Sequence, residues 1–298
     1  MEPFTKSRIN EHVSLRALLE KNPDRVWRIP GVWDGMSALL ADQAGFQIIS
    51  SSGWAISSNL GLPDAGLYSY RENLNVVANI RKNTNAALIA DIDTGYGNAI
   101  NAAHIIREAE FAGVDAVFIE DQVTPKRCNY SADEGVPVTA LRDAASKVRA
   151  VVEHRMNPDT VIIARTDAEG PQIKDRAEAF LEAGADFVLP IASNAAASRS
   201  VVEELHHTIG PNRIALSTPP GAWHWALSEA ELKEMGVVMV MNHVDTYFAV
   251  VEALKRHLAE LAQSETPQEV TVPTMPYPEF AELIGFGPLH ELERRYDT

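Results

Sequence analysis

Four times in this chain a helix-length stretch closes on a glycine and passes at once into a short β-rich run. Ala44-Gly45-Phe46 leads into Gln47-Ile48-Ile49-Ser50, Ala112-Gly113-Val114-Asp115 into Ala116-Val117-Phe118-Ile119, Ala183-Gly184-Ala185-Asp186 into Phe187-Val188-Leu189, and Met235-Gly236 into Val237-Val238-Met239-Val240. A glycine there ends a helix in the left-handed conformation that side chains resist. Four more runs have the same apolar character: Val26-Trp27-Arg28-Ile29, Ala86-Ala87-Leu88-Ile89-Ala90, Val161-Ile162-Ile163-Ala164 and Arg213-Ile214-Ala215-Leu216. The stretches between them are helical; from Asn101 to Ala112 the spacing puts Ile105, Ile106, Ala109 and Ala112 on one side, and 140–154 and 176–183 behave alike. Continuous apolar strands alternating with helices make a parallel sheet covered on its faces. Eight such units predict an α/β chain closed into a (β/α)8 TIM-type barrel. The alternative is an open doubly wound sheet, but no G-x-G-x-x-G follows a strand, so its dinucleotide form lacks the fingerprint.

The C-terminal part reads differently. A long helix is expected over Val244 to Ala262, then the linker Gln263-Ser264-Glu265-Thr266-Pro267. A segment punctuated by Pro273, Pro276, Pro278 and Pro288 follows and ends in a short helix near Leu289 to Arg295. The expected organisation is one barrel domain over 1–298, with an N-terminal helical segment at 1–25 and a C-terminal extension at 263–298 that packs on the barrel or on a neighbouring subunit.

The formal net charge of −15 argues against a nucleic-acid partner, since phosphate neutralisation needs clustered Lys and Arg and the nearest approach to a cluster is Lys126-Arg127. No apolar run reaches membrane-spanning length, and Glu2, Lys6, Arg8 and Glu11 leave the N-terminus without the apolar core of a secretory signal. A single cysteine, Cys128, rules out an internal disulfide framework and fits a reducing, cytoplasmic setting.

In such a barrel the chemistry lies at the C-terminal ends of the strands. There the chain places Ser50-Ser51-Ser52-Gly53-Trp54, then Asp91-Ile92-Asp93-Thr94-Gly95-Tyr96-Gly97-Asn98, then Glu120-Asp121, then Arg165-Thr166-Asp167. Alternation along a strand points Asp91 and Asp93 the same way. Two carboxylates side by side repel, and a hard divalent cation is the simplest thing that holds them together. Oxygen ligands from Asp91, supported by Asp93 and Glu120, favour Mg²⁺ or Mn²⁺ over zinc. The bland reading of each residue is a helix cap or a salt-bridge partner. Ser51-Ser52-Gly53 offers hydroxyls and backbone N–H groups to an anion, or is an ordinary turn. The polar stretch from Gln122 to Pro137 is long enough to act as a lid, and it sets Cys128 beside two cations, a setting that favours a reactive thiol. His206-His207 falls on an expected helix and reads as surface.

These motifs, with Pro125-Lys126-Arg127-Cys128, Ile163-Ala164-Arg165-Thr166-Asp167 and Leu60-Gly61-Leu62-Pro63-Asp64, resemble the isocitrate lyase / phosphoenolpyruvate mutase superfamily from about residue 26 to the end. The resemblance implies a Mg²⁺-dependent barrel, a homotetramer built as a dimer of helix-swapped dimers, and a small anionic carboxylate or phosphonate substrate passing through an enolate. It implies that Asp91 holds the metal directly. Asp64, Asp93 and Glu120 would act mostly through metal-bound waters. Ser52, Gly53 and Trp54 would bind the substrate carboxylate, Arg165 would clamp the substrate, and the loop from Lys126 through Asn129 to Tyr130 would close over it. In the lyase branch the loop cysteine is the general acid, and Cys128 stands in that position.

Two departures divide the branches. Lyases continue Cys-Gly-His where this chain has Cys128-Asn129-Tyr130, and the end of strand six carries Ile191 where lyases have Glu and mutases His. Thr218-Pro219 and Asn242-His243 look mutase-like. The leading expectation is a Mg²⁺-dependent C–C bond lyase or acyl hydrolase on a small 2-hydroxy or 2-oxo di- or tricarboxylic acid. The alternatives are a P–C bond enzyme (a phosphonomutase or phosphonopyruvate hydrolase) and a non-catalytic barrel that binds a metabolite. Trp54, Pro190, Ile191 and Trp223 are the expected tuners of the pocket.

Overall fold

The computed structural model describes residues 12–129, 135–191 and 197–296. All eight expected strands form: β1 (Trp27–Val32), β2 (Ile48–Ser51), β3 (Ala87–Asp91), β4 (Ala116–Glu120), β5 (Val161–Thr166), β6 (Phe187–Pro190), β7 (Ile214–Ser217) and β8 (Val237–Asn242). They pair in parallel, each with the next, and β1 pairs with β8 to close the barrel. The helices are α1 (Leu15–Lys21), α2 (Gly35–Gln43), α3 (Gly53–Asn59), α4 (Tyr70–Lys82), α5 (Ala99–Phe111) and α6 (Leu141–His154), followed by α7 (Gln172–Glu182), α8 (Arg199–Ile209), α9 (Glu229–Glu234), α10 (Asp245–Leu261), α11 (Tyr277–Ile284) and α12 (Phe286–Tyr296). The four glycines that end helices all take positive φ: 85° at Gly45, 89° at Gly113, 99° at Gly184 and 75° at Gly236.

The strands show the period-two division expected of a barrel. Ile29, Ile48, Ala87, Ile89, Ala116, Phe118, Val161, Ile163, Leu189, Ala215, Met239 and Met241 fill the interior with Leu15 and Leu18 of α1. The alternate residues Leu88, Ala90, Val117, Ile119, Ile162 and Ala164 pack outward among the helices. Extending the inward set by one step up each strand reaches Asp91, Glu120, Arg165, Ile191, Ser217 and His243. The core packing therefore sets which side chains face the top of the barrel.

The chain forms two compact units, one from Val13 to Thr246 that holds the whole barrel and one from Tyr247 onward. The second contains most of α10, all of α11 and α12, and a 3-10 turn at Pro267–Glu269. Helix α11 lies where the prolines suggested a break. Pro276 precedes it and Pro278 sits in its first turn, where a missing N–H costs nothing, so these prolines start a helix instead of preventing one. Helix α10 leaves Val250, Val251, Leu254, Leu258 and Leu261 exposed. No helix among the described residues is long and apolar enough to cross a membrane.

Candidate active site

Asp91 is the last residue of β3, and its backbone is pinned from two sides. Its N–H donates to Ser51 Oγ at 3.1 Å, and its carbonyl accepts from Asn73 Nδ2 at 2.7 Å. The carboxylate accepts the N–H groups of Gly53 (3.2 Å) and Asp93 (2.9 Å). The approach at Gly53 is close enough to require glycine: a Cβ there would lie 2.4 Å from Asp91 Oδ2 and 2.8 Å from the Tyr68 hydroxyl.

Asp91, Asp93 and Glu120 converge as expected, with one ligand oxygen from each within 4.8 Å of the others. The backbone route differs from simple strand alternation. The strand ends at Asp91, and Asp93 sits in the left-handed region at φ 48°, followed by Gly95 at 77° and Tyr96 at 55°. A tight turn, not the pleat, brings the second carboxylate round. The Glu120 N–H donates to the Asp93 carbonyl at 2.9 Å and holds that turn against β4. The Lys147 ammonium holds its far side by donating to the Thr94 carbonyl at 3.0 Å.

Lys126 enters this acidic centre. Its ammonium is buried against Asp64 at 2.9 Å, Glu120 at 3.2 Å and Asp93. Burial works against that charge, but Asp93, Glu120 and Asp64 together hold its pKa well above the usual lysine value. Asp93 falls below the usual carboxylate range because Lys126 overrides burial, whereas burial raises Asp64 and Glu120. Asp91 has no direct ion pair among the described contacts, and burial with Asp93 beside it pushes its carboxyl up to about 8. Four carboxylates around one ammonium leave excess negative charge in a dry, all-oxygen setting. Such a donor set fits Mg²⁺ or Mn²⁺.

Across the cleft, Arg165 of β5 forks onto Asp167, Nε to Oδ2 at 2.9 Å and Nη2 to Oδ1 at 2.8 Å, and reaches Glu120 at 3.1 Å. Burial opposes its charge, but Asp167 and Glu120 raise its pKa well above normal. Asp121, the other carboxylate at the end of β4, has a different job. It accepts Thr166 Oγ1 at 2.7 Å, Arg176 Nη1 at 2.8 Å and the Asp167 N–H at 3.0 Å, and so braces the end of β5.

A cleft is lined by Ser52, Trp54, Asp64, Asp91, Arg127, Cys128, Asn129, Arg165, Ile191, Ser217, His243 and Val244. It brings together residues expected from the sequence and adds Ser217 and Val244. Ser52 also caps α3, its hydroxyl accepting from Ala55 N–H. The stretch after β4 leaves and returns as a closed neck, with the Val123 N–H on the Pro137 carbonyl at 2.9 Å and the Thr139 N–H on the Asp121 carbonyl at 2.8 Å. Cys128 is half-buried in it, and Tyr130 lies outside the described residues. Trp223 is not among the cleft residues; its indole donates to the Ala197 carbonyl at 2.8 Å. His206 and His207 sit on α8, with ring centroids 5.6 Å apart.

His243 shows how position outweighs residue type. Its ring stacks on Phe118, with centroids 5.3 Å apart, and Nε2 lies 3.3 Å from Ser50 Oγ. Burial, then Arg165, lowers its pKa to about 3, so it faces the cleft as neutral imidazole. Asn73, fully buried, also donates to the Tyr96 hydroxyl at 2.9 Å. It supports the Asp91 turn without carrying any motif. Reading the inward parity of β7 would have found Ser217, and that of β8 would have turned His243, already marked by the resemblance, into the cleft; no local signal marks Asn73.

The shifts give a pH test. Below about 6.5 the unfolded His243 takes a proton that the folded ring refuses, so its contribution to stability is lost as pH falls from there towards 3. Asp91 acts in the opposite sense: its raised pKa favours the metal-free fold at low pH, and that contribution is lost as pH rises through about 8. Above about 6.5 His243 no longer contributes, so Asp91, with Asp64 and Glu120 raised in the same sense, sets the trend up to about 8. Thermal unfolding in EDTA should therefore shift to lower temperature across that window. Excess Mg²⁺ should reverse the trend. A flat profile in EDTA would rule out an uncompensated carboxyl at Asp91 and in the cluster around it.

Known proteins match at both levels. The family model for phosphoenolpyruvate phosphomutase matches residues 15–262. The chain is 33% identical over 285 residues to a 2-methylisocitrate lyase of Aeropyrum pernix, covering 94% of this chain and 88% of that protein. It is 30% identical over 274 residues to a 2,3-dimethylmalate lyase of Eubacterium barkeri, covering 90% and 93%. It also superposes on a phosphonopyruvate hydrolase solved with oxalate and Mg²⁺, with a TM-score of 0.79 and 29% identity, covering 95% of this chain and 98% of that one.

Proposed function

The chain belongs to the phosphoenolpyruvate phosphomutase family, and from that membership we propose that it is a Mg²⁺-dependent lyase cleaving a C–C bond of a small 2-hydroxy or 2-oxo acid. The observation that carries this reading is that Cys128, Arg165 and Asp91 line one cleft. A bound Mg²⁺ or Mn²⁺, held by Asp91 with Asp93, Glu120 and Asp64 beside it, supplies a Lewis acid that stabilises negative charge on the substrate oxygens. Arg165 binds a substrate carboxylate with a guanidinium already oriented by Asp167. Ser52 and the Trp54 N–H receive the same end of the substrate, while the Gly53 N–H, expected there too, is taken up by the Asp91 carboxylate.

In the cleavage of a 2-hydroxy acid, the substrate hydroxyl passes its proton to a carboxylate of the Asp64, Asp93 and Glu120 cluster, its oxygen becomes a carbonyl, and the electron pair of the C–C bond passes to the departing carbon. The Cys128 thiol then protonates that carbon. His243, held neutral, adds no charge to compete with the clamp. Ile191, Val244 and Trp54 give the cleft an apolar side that suits an alkyl-substituted diacid. The 2,3-dimethylmalate lyase relative acts on such a compound by its name.

Replacing Cys128 by Ser should lower kcat by roughly 10²- to 10⁴-fold, the range for a lost general acid. Mg²⁺ and oxalate binding, read by calorimetry, should stay at native strength. Native turnover in that variant would eliminate Cys128 as the acid.

The P–C reading is favoured by His243 and Asn129 in the cleft and by the phosphonopyruvate hydrolase match. Phosphorus NMR of the enzyme with Mg²⁺ and phosphonopyruvate separates the two, since the lyase reading expects an unchanged spectrum. A non-catalytic barrel is disfavoured by the complete set Asp64, Asp91, Asp93, Glu120 and Arg165. The homotetramer implied by the resemblance is supported by the exposed Leu254, Leu258 and Leu261 on α10. Sedimentation equilibrium reads it directly, and a monomer at micromolar concentration would exclude it.

A further inference from the structure

We infer that Gln122 and Asn129 are positioning residues that register Cys128 against Arg165, an inference that rests on the proposed lyase reading for its catalytic consequence. Both neighbours of Cys128 are anchored. The Arg127 N–H donates to Gln122 Oε1 at 2.8 Å, and Asn129 Nδ2 donates to Asp167 Oδ1. Gln122 Nε2 in turn reaches Glu120 Oε2 at 2.9 Å and Asp167 Oδ1 at 3.2 Å. The amide orientations follow from chemistry: ionised carboxylates only accept, so each amide nitrogen must face them, and an N–H only donates, so the Gln122 oxygen must face Arg127.

Asp167 Oδ1 is thus shared by Arg165, Gln122 and Asn129. Gln122, Asn129 and Asp167 are all buried. In so dry a setting a broken bond leaves a polar atom unsatisfied, so the three move together or not at all. The carboxylate that aims the clamp therefore also fixes the residue next to the proton donor, and Gln122 ties both to Glu120 of the metal cluster. The role belongs to the Asn129 side chain. A glycine there, as lyases have, lacks the donor.

Cys128 is the sole cysteine, so its alkylation by iodoacetamide, followed by intact mass, reports its placement without any substrate. In Asn129→Ala the alkylation rate should change by about 5-fold or more. kcat should fall by about 10- to 100-fold, the scale of a displaced catalytic group. KM and Mg²⁺ affinity should stay near native, which a general collapse of the site would not allow. Gln122→Glu keeps an acceptor for Arg127 but sets a charge against Glu120 and Asp167; it should reproduce both effects and serves if Asn129→Ala does not fold. An unchanged alkylation rate in the folded variants overturns the inference, as does a changed rate with native kcat. If Cys128→Ser proves fully active, the lyase reading fails, while the alkylation rates still decide the positioning.

Discussion

An Asp91→Asn enzyme should lose roughly 10⁴-fold in kcat/KM, because on the proposed reading several kcal/mol of transition-state charge stabilisation depend on a cation held by this carboxylate. The substitution keeps the size of the side chain and one of the two oxygens that accept the Gly53 and Asp93 N–H groups, so the fold should survive with one of those bonds lost. Mn²⁺ affinity, read by electron paramagnetic resonance, should fall by about 100-fold or more as the fully buried charge disappears. Stability should move the other way. Asp91 is buried beside Asp93, and its carboxyl is held up to about 8 in the metal-free protein. Removing that charge relieves the repulsion, so Asp91→Asn in EDTA at pH 8 should unfold at a higher temperature than the native chain. Lower stability under those conditions, or native Mn²⁺ binding, would refute the role given to Asp91. The trade is the one expected where a site stores repulsion in order to hold a cation.

Arg165→Lys should cost about 10³-fold in kcat/KM. The guanidinium makes two hydrogen bonds to Asp167 and an ion pair with Glu120, at 2.9, 2.8 and 3.1 Å. An ammonium keeps the charge but cannot fork, and each charge-assisted hydrogen bond lost is worth about 1.5–3 kcal/mol. The loss should appear in KM for the substrate and in oxalate affinity, while Mn²⁺ affinity changes less, because Asp91 and Asp93 do not contact Arg165 by any described hydrogen bond. A large fall in metal affinity with oxalate binding intact would mean that Arg165 serves Glu120 and not the substrate.

The barrel was legible because its strands are short, apolar and punctuated by helix-ending glycines, all of which are local features. Asp91, Glu120 and Arg165 were legible for the same reason, since each falls at the inward parity at the end of such a run. Asn73 was not, and of Gln122 only its place at the start of the polar stretch was. Each is an ordinary polar residue whose importance comes from the partner it meets, Asp91 in one case and Asp167 in the other. Helix α11 was hidden by prolines that start a helix as readily as they end one.

By itself, then, the order of residues determined eight strands and the kinds of group that follow the second to the fifth of them, because apolar runs and the glycines that end helices are local features of the chain. Only the closed barrel decided what those groups become. Closure of β1 on β8 brings His243 onto Phe118, where burial strips its charge. The turn after β3 swings Asp93 back beside Asp91. The segment after β4 puts the Lys126 ammonium among carboxylates that lie far from it in sequence or on other strands. Electrostatic energies depend on distance and burial, and both are set by packing between strands that the chain brings together only when it folds.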